Sequence, residues 1–184
     1  MALILPKNYH KLAAVERNGI SWIEPELAER QDIRPLRIGI VNIMPLGMQY
    51  EFNLLHPLGL SPLQIEPVWI RLKTHDYKTW DHEHLDHQYC SWDQANAASS
   101  LDGLIITGAP VEHLAYEQVT YWQEMVELVD IARSQCASTL GLCWAGFALA
   151  YLAGVDKSAF KQKLFGVFPM RSLKPGHALM GTQD

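Results

Sequence analysis

Cys143 stands where a short apolar run, Thr139-Leu140-Gly141-Leu142, gives way to a small-residue stretch, Trp144-Ala145-Gly146-Phe147-Ala148-Leu149-Ala150, that opens a helical pattern. A side chain on such a strand-to-helix turn is lifted out of the sheet at its carboxyl end, where a thiol can attack an electrophile. Gly141, Ala145 and Gly146 are the small residues that a tight, crowded turn needs. The first helical turn would aim free N–H groups at the sulfur and favour the thiolate, the reactive form. The same residue also suits a small core position, because free cysteine is among the most buried residue types. The local pattern leaves both readings open.

A second cluster with chemical potential is Asp81-His82-Glu83-His84-Leu85-Asp86-His87, three histidines and three acids in seven residues. The spacing His82-x-His84-x-x-His87 matches no zinc pattern, and no cysteine pair accompanies it. A solvated loop or short helix is the reading adopted, with no metal expected.

The elements that must position Cys143 follow from periodicity. Arg37 to Met44 is a near-continuous Ile/Val strand of the kind buried on both faces in a parallel sheet. Pro45-Leu46-Gly47 then leads into a helix from Tyr50 to Leu58, and Leu63 to Leu72 returns as a strand. Pro67 in that strand suggests an edge or a bend. Thr74 to Ser100 is polar and poorly spaced for any long element. Leu101 to Pro110 reads as a buried strand with its exit loop, carrying Gly108, Ala109 and, just beyond, Glu112. Glu117 to Arg133 has the clearest helical stripe. The strand before Cys143 comes next, then a helix through Leu152 that ends at Gly154. Lys163 to Phe168 reads as a further strand. Residues 1–35 form an irregular arm with short helices at Tyr9–Arg17 and Pro25–Arg30, and residues 36–184 form one domain. This alternation predicts an α/β fold, a mainly parallel sheet with helices on both faces. Strand ends near Met44, Thr107 and Leu142 would meet at one rim, where open α/β sheets bind ligands. That convergence favours the nucleophile reading of Cys143.

Composition narrows the function classes. A chain of 184 residues with 48% hydrophobic and 19% charged residues suits one globular unit. A net charge of −5 offers no electrostatic footprint for nucleic acid or an anionic membrane. No run is long enough to span a bilayer, and Pro6 interrupts the short apolar N-terminus, so no signal peptide is expected. Cys90, Cys136 and Cys143 are odd in number and widely spaced, which suits free thiols and a cytoplasmic location.

Several segments resemble homoserine O-acyltransferases of the type called homoserine O-succinyltransferase, which use a class I glutamine amidotransferase-like α/β domain. They include Gln31-Asp32-Ile33-Arg34, Asn42-Ile43-Met44-Pro45, Pro62-Leu63-Gln64, Glu83-His84-Leu85 and Asp102 to Glu112. Tyr121-Trp122, Ser138-Thr139-Leu140, Cys143-Trp144 and Lys163 to Val167 continue the match, in order, to the end of the chain. The resemblance implies methionine biosynthesis by ping-pong transfer, with Cys143 taking the acyl group from acyl-CoA and L-homoserine, or alternatively L-serine, accepting it. Acyl-CoA is then a substrate and no cofactor is implied. The oxyanion hole would use the backbone N–H of Trp144 and that of Gly47, where the family usually carries lysine. Lys163 matches a substrate-binding lysine. Glu112 matches the position that separates acetyl from succinyl use; a glutamate fills the space and repels a succinyl carboxylate, which argues for acetyl-CoA. A homodimer is also implied. The family's histidine base, the glutamate that orients it and a substrate-binding Ser and Arg lie beyond Asp184, and His177 lacks the His-x-Glu arrangement. The sequence is therefore expected to be part of a longer enzyme, and weakly active or inactive by itself. A glutamine amidotransferase-like hydrolase and an inactive CoA-binding fragment are the competing readings.

Overall fold

The computed structural model describes residues 2–162, 164–169, 171–174, 176 and 177. Its centre is a six-stranded sheet, every paired neighbour parallel. In chain order the elements are β1 (Leu3–Ile4), α1 (Leu12–Arg17), β2 (Trp22–Ile23), α2 (Pro25–Ala28), β3 (Leu36–Val41), α3 (Gly47–Gly59) and β4 (Ile65–Ile70). There follow α4 (His82–Gln88), α5 (Trp92–Ala98), β5 (Gly103–Ile106), α6 (Trp122–Gln135), β6 (Ser138–Gly141) and α7 (Trp144–Leu152). The strand order β2-β1-β4-β3-β5-β6 puts successive connections on opposite sides of β3. The topological switch therefore lies between β3 and β5, the place where such sheets form a crevice.

Alternation along β3 shows how the strands are buried on both faces. Ile40 packs with Leu55 of α3, Val15 of α1 and Leu85 of α4. Its neighbour Val41 packs with Met125 and Val129 of α6 and Trp144 of α7. Successive side chains point to opposite faces, so two cores form and helices cover both sides, as the alternation of elements predicts.

Three local expectations change. The stretch read as an irregular arm adds two short strands to the sheet, with Leu3 paired to both Trp22 and Ile65. Pro67 does not mark an edge: β4 is central and Pro67 pairs with Ile38. Ile65 N–H donates toward β1, to the carbonyl of Ala2. Pro67, two residues on, turns its missing donor to that same side, beyond the end of the two-residue β1. The polar stretch 74–100 holds no long element, as its spacing predicts: it forms the short helices α4 and α5, each started by a side-chain cap, Asp81 and Ser91 respectively. The helix expected from Glu117 begins instead at Trp122, after a separate 3₁₀ turn at Tyr116–Gln118.

The expected strand at 163–168 is not formed by its described residues. Leu164, Phe165, Val167 and Phe168 are exposed and lie in no strand. An apolar run becomes a strand only where a neighbouring strand supplies partners, and the described residues of this run belong to no strand. β6 is left at the sheet edge with Leu140 half exposed.

Candidate active site

Cys143 caps the N-terminus of α7, one residue past the turn out of β6. Its backbone is at φ 55°, ψ −122°, a conformation that L-residues rarely adopt. Among the described residues only one other non-glycine residue has positive φ, Leu46 at 53°. Both line the same cleft, of about 510 Å³, together with Met44, Pro45, Gly108 and Phe147. The cleft sits outside the carboxyl ends of β3, β5 and β6, at the switch point.

Two glycines make the Cys143 turn possible. A Cβ on Gly108 would stand 2.6 Å from Cys143 Cβ and 3.0 Å from its Sγ, so the loop after β5 lies directly against the cysteine. A Cβ on Gly141 would stand 2.6 Å from the carbonyl oxygen of Ala145, so only glycine lets β6 and α7 approach this closely. Cys143 is itself exposed while Trp144 beneath it is fully buried. Ala145, Gly146 and Phe147 donate backward to Leu142 and Cys143. The N–H of Trp144 is thereby the amide at the head of the helix.

The loop after β3 is held with equal care. Leu46 N–H donates to Thr79 Oγ1 at 3.0 Å, and Trp80 Nε1 donates to the carbonyl of Met44 at 3.0 Å. Asn42, fully buried, donates through Nδ2 to the carbonyl of Gly47 and to Tyr89 Oη, both at 3.2 Å. Its Oδ1 accepts from Thr107 Oγ1 and from Met44 N–H, both at 3.3 Å. Thr107 Oγ1 in turn accepts from Ile43 N–H at 2.9 Å. A buried amide with its donors and acceptors used in this way ties the exits of β3 and β5 to the start of α3.

The expected site residues divide into three groups. Cys143, Trp144 and Glu112 line one cleft. Gly47 is buried at the start of α3, behind Leu46 and against the Trp80 indole: a Cβ there would fall 2.0 Å from Trp80 Cζ2. Lys163 lies outside the described residues.

Sequence reasoning passed over the residues that fix these groups. Lys157 Nζ donates to the carbonyls of Glu112 at 2.8 Å and Leu114 at 2.5 Å, and sits 4.5 Å from the Tyr116 ring centroid. It fastens the loop carrying Glu112, yet a lysine after a helix end carries no signal in sequence. Trp80 was legible only as one aromatic in a polar stretch. Glu51 did carry a signal: it shares a helical face with Leu55 and Leu58, and a carboxylate on a core face must be paired.

A strained cysteine elbow in an apolar cleft, at the switch of a parallel sheet, defines the class: an α/β protein that presents one exposed thiol at the carboxyl end of its sheet. A family model described as homoserine O-succinyltransferase matches residues 2–184. The homoserine O-acetyltransferase of Bacteroides thetaiotaomicron is 41% identical over 185 residues, covering 100% of this chain and 60% of the relative. That of Roseobacter denitrificans is 40% identical, covering 100% of this chain and 61% of the relative. That of a Jannaschia species is 40% identical over 170 residues, covering 91% of this chain and 54% of the relative. The chain belongs to the homoserine O-succinyltransferase family. It spans about 60% of the length of the curated relatives it matches.

Proposed function

We propose that this chain carries the acyl-accepting half of a homoserine O-acyltransferase, with acetyl-CoA as donor and L-homoserine as the final acceptor. The observation that carries the reading is Cys143, exposed and strained at the head of α7 in a cleft of mainly apolar residues. The Cys143 thiolate attacks the thioester carbonyl of acetyl-CoA. The tetrahedral oxyanion is met by the Trp144 N–H and, by resemblance alone, by that of Gly47, and it collapses with loss of CoA thiolate, leaving an acetyl thioester on Sγ. In the second half-reaction the homoserine hydroxyl would attack that carbonyl and pass its proton to a general base, which the resemblance places beyond Asp184, so that the Cys143 thiolate leaves and the O-acetyl ester of homoserine is released.

Glu112 supports acetyl over succinyl. It lies on the cleft lining, and its carboxylate would repel the free carboxylate of a succinyl group. Lys163 is assigned to substrate binding by resemblance alone. Acyl-CoA is a substrate in this scheme and no cofactor is required. A homodimer and a cytoplasmic location complete the proposal; among the described residues no helix is long and apolar enough to cross a membrane.

Incubation with acetyl-CoA or succinyl-CoA, followed by acid quenching and intact-mass analysis, tests the reading. The expected result is an acetyl adduct that maps to Cys143 and is absent from Cys143→Ala. A succinyl adduct formed in preference would overturn the donor assignment. An adduct that persists in Cys143→Ala would overturn the nucleophile.

A further inference from the structure

Away from the cleft, on the α1/α3/α4 face of the sheet, the carboxylate of Glu51 is fully buried. Its two oxygens divide their contacts in the same way. Oε1 accepts from Tyr89 Oη at 2.9 Å and faces His84 Nε2 at 2.7 Å. Oε2 accepts from Tyr9 Oη at 2.7 Å and faces His10 Nε2 at 3.5 Å. The last separation is too long for a hydrogen bond of ordinary strength. The His10 ring also bonds to the backbone of Met48. The ring nitrogen and the carboxylate oxygen therefore stand close together without an ordinary hydrogen bond between them, at the spacing that two donors to one cation take.

We propose that His10, Glu51 and His84 bind a divalent transition-metal ion, zinc by preference. Their ligand atoms all lie within 4.8 Å of one another. Two donors each at zinc bonding distance and tetrahedral angle stand about 3.3 Å apart. The 3.5 Å between His10 Nε2 and Glu51 Oε2 matches that spacing with little adjustment. Two imidazoles and one carboxylate form a donor set that zinc accepts, with a further position left for water. The Tyr9 and Tyr89 hydroxyls would remain on the carboxylate and orient it, as outer hydrogen bonds do for metal-binding carboxylates. Solvent has a path in, since His10 and His84 line a polar cleft with Asn8, Asp81, Glu83 and His87.

The spacing in sequence could not show this site. Only His84 comes from the histidine-rich run; its partners lie on the segment before α1 and on α3. The ion would bridge three segments that meet only in the folded chain, so binding stabilises the fold by linkage. It would also brace α3, whose first residue is Gly47.

The test uses the intact chain, stripped with a chelator and titrated with zinc chloride, then with cobalt chloride as a spectroscopic probe. One equivalent of zinc should bind and raise the melting temperature by roughly 5 to 10 °C at a hundredfold excess over Kd. His10→Ala and His84→Ala should each weaken binding by about tenfold or more. Bound cobalt should show ligand-field bands without thiolate charge transfer. Failure to take up zinc stoichiometrically overturns the proposal. So does uptake unchanged in both histidine variants, or a cobalt spectrum dominated by thiolate. Because none of these readouts depends on acyl transfer, the outcome is separate from that of the Cys143 assignment.

Discussion

Gly47 tests whether the candidate oxyanion loop is built as the structure describes. A Cβ at this position would stand 2.0 Å from Trp80 Cζ2, 2.6 Å from Cη2 and 2.9 Å from Asn42 Nδ2. Carbon atoms rest about 3.5 Å apart or more, so in Gly47→Ala the indole must retreat by about 1.5 Å. Trp80 has little room to do so, being buried and edge-on to Tyr77 and Tyr89. Its retreat would also break the Nε1 hydrogen bond to Met44. Overpacking of about 1–3 kcal/mol and a hydrogen bond of about 1 kcal/mol sum to about 2–4 kcal/mol. For a chain of this size that lowers the melting temperature by roughly 5 to 15 °C. Thermal unfolding followed by circular dichroism measures it directly. The control is a double-mutant cycle with Trp80→Leu, which removes the offending ring. In that background Gly47→Ala should cost little, giving a coupling of about 1–3 kcal/mol. A Gly47→Ala protein melting within about 1 °C of the parent, or a cycle without coupling, would refute the packing argument.

Three further outcomes are expected. Gly108→Ala places a methyl group against Cys143 Cβ and Sγ; a displacement near 1 Å should slow Cys143 acylation by acetyl-CoA by about a hundredfold, while the melting temperature falls only modestly. Lys157→Met removes the donor shared by the Glu112 and Leu114 carbonyls, so hydrogen exchange should quicken in the peptide spanning 111–118, and an unchanged rate would show that the loop holds without it. The His75 ring lies edge-on to Tyr77 and Tyr121, and burial lowers its pKa against the opposing pull of Asp76 and Glu124. The unfolded chain therefore takes up the proton first, and this contribution to stability is full above the ordinary histidine pKa and lost as pH falls through the lowered one; the acid-side decline in melting temperature should be shallower in His75→Gln.

The fold was readable wherever burial imposes a period. β3, β5 and the core face of α6 announce themselves because a strand covered on both sides must be apolar throughout, and a helix on a sheet must show a stripe. Pro67 misled because the argument from a lost donor holds only where a partner strand faces it, and β1 stops short. The apolar run after Lys163 misled for the complementary reason: apolar content licenses a strand but cannot supply its neighbour. At the cleft, the position of Cys143 was legible from its strand-to-helix turn and that of Glu112 from the loop after β5. Asn42, Trp80 and Lys157 were not, since each acts on residues brought near only by the fold.

Strain supplies the link between these observations. Leu46 and Cys143 sit at positive φ without being glycine, and such backbone costs of order 1–3 kcal/mol at each residue. Surrounding structure must impose it. For Cys143 the constraint is steric, set by Gly108 and by the contact between Gly141 and Ala145. For Leu46 it is a set of hydrogen bonds: Thr79 takes its N–H, Trp80 holds the preceding Met44 carbonyl and Asn42 holds the following Gly47 carbonyl. The two strained residues face one cleft from different strands. The lysine that the resemblance implies at position 47 would therefore need more than a changed side chain there. The Trp80 indole occupies the space that any Cβ at Gly47 would need, so lysine would fit only if the tryptophan also changed. A Gly47→Lys substitution made alone should unfold this corner before it could contribute a charge to the cleft, whereas the Gly47 and Trp80 positions changed together could accept one.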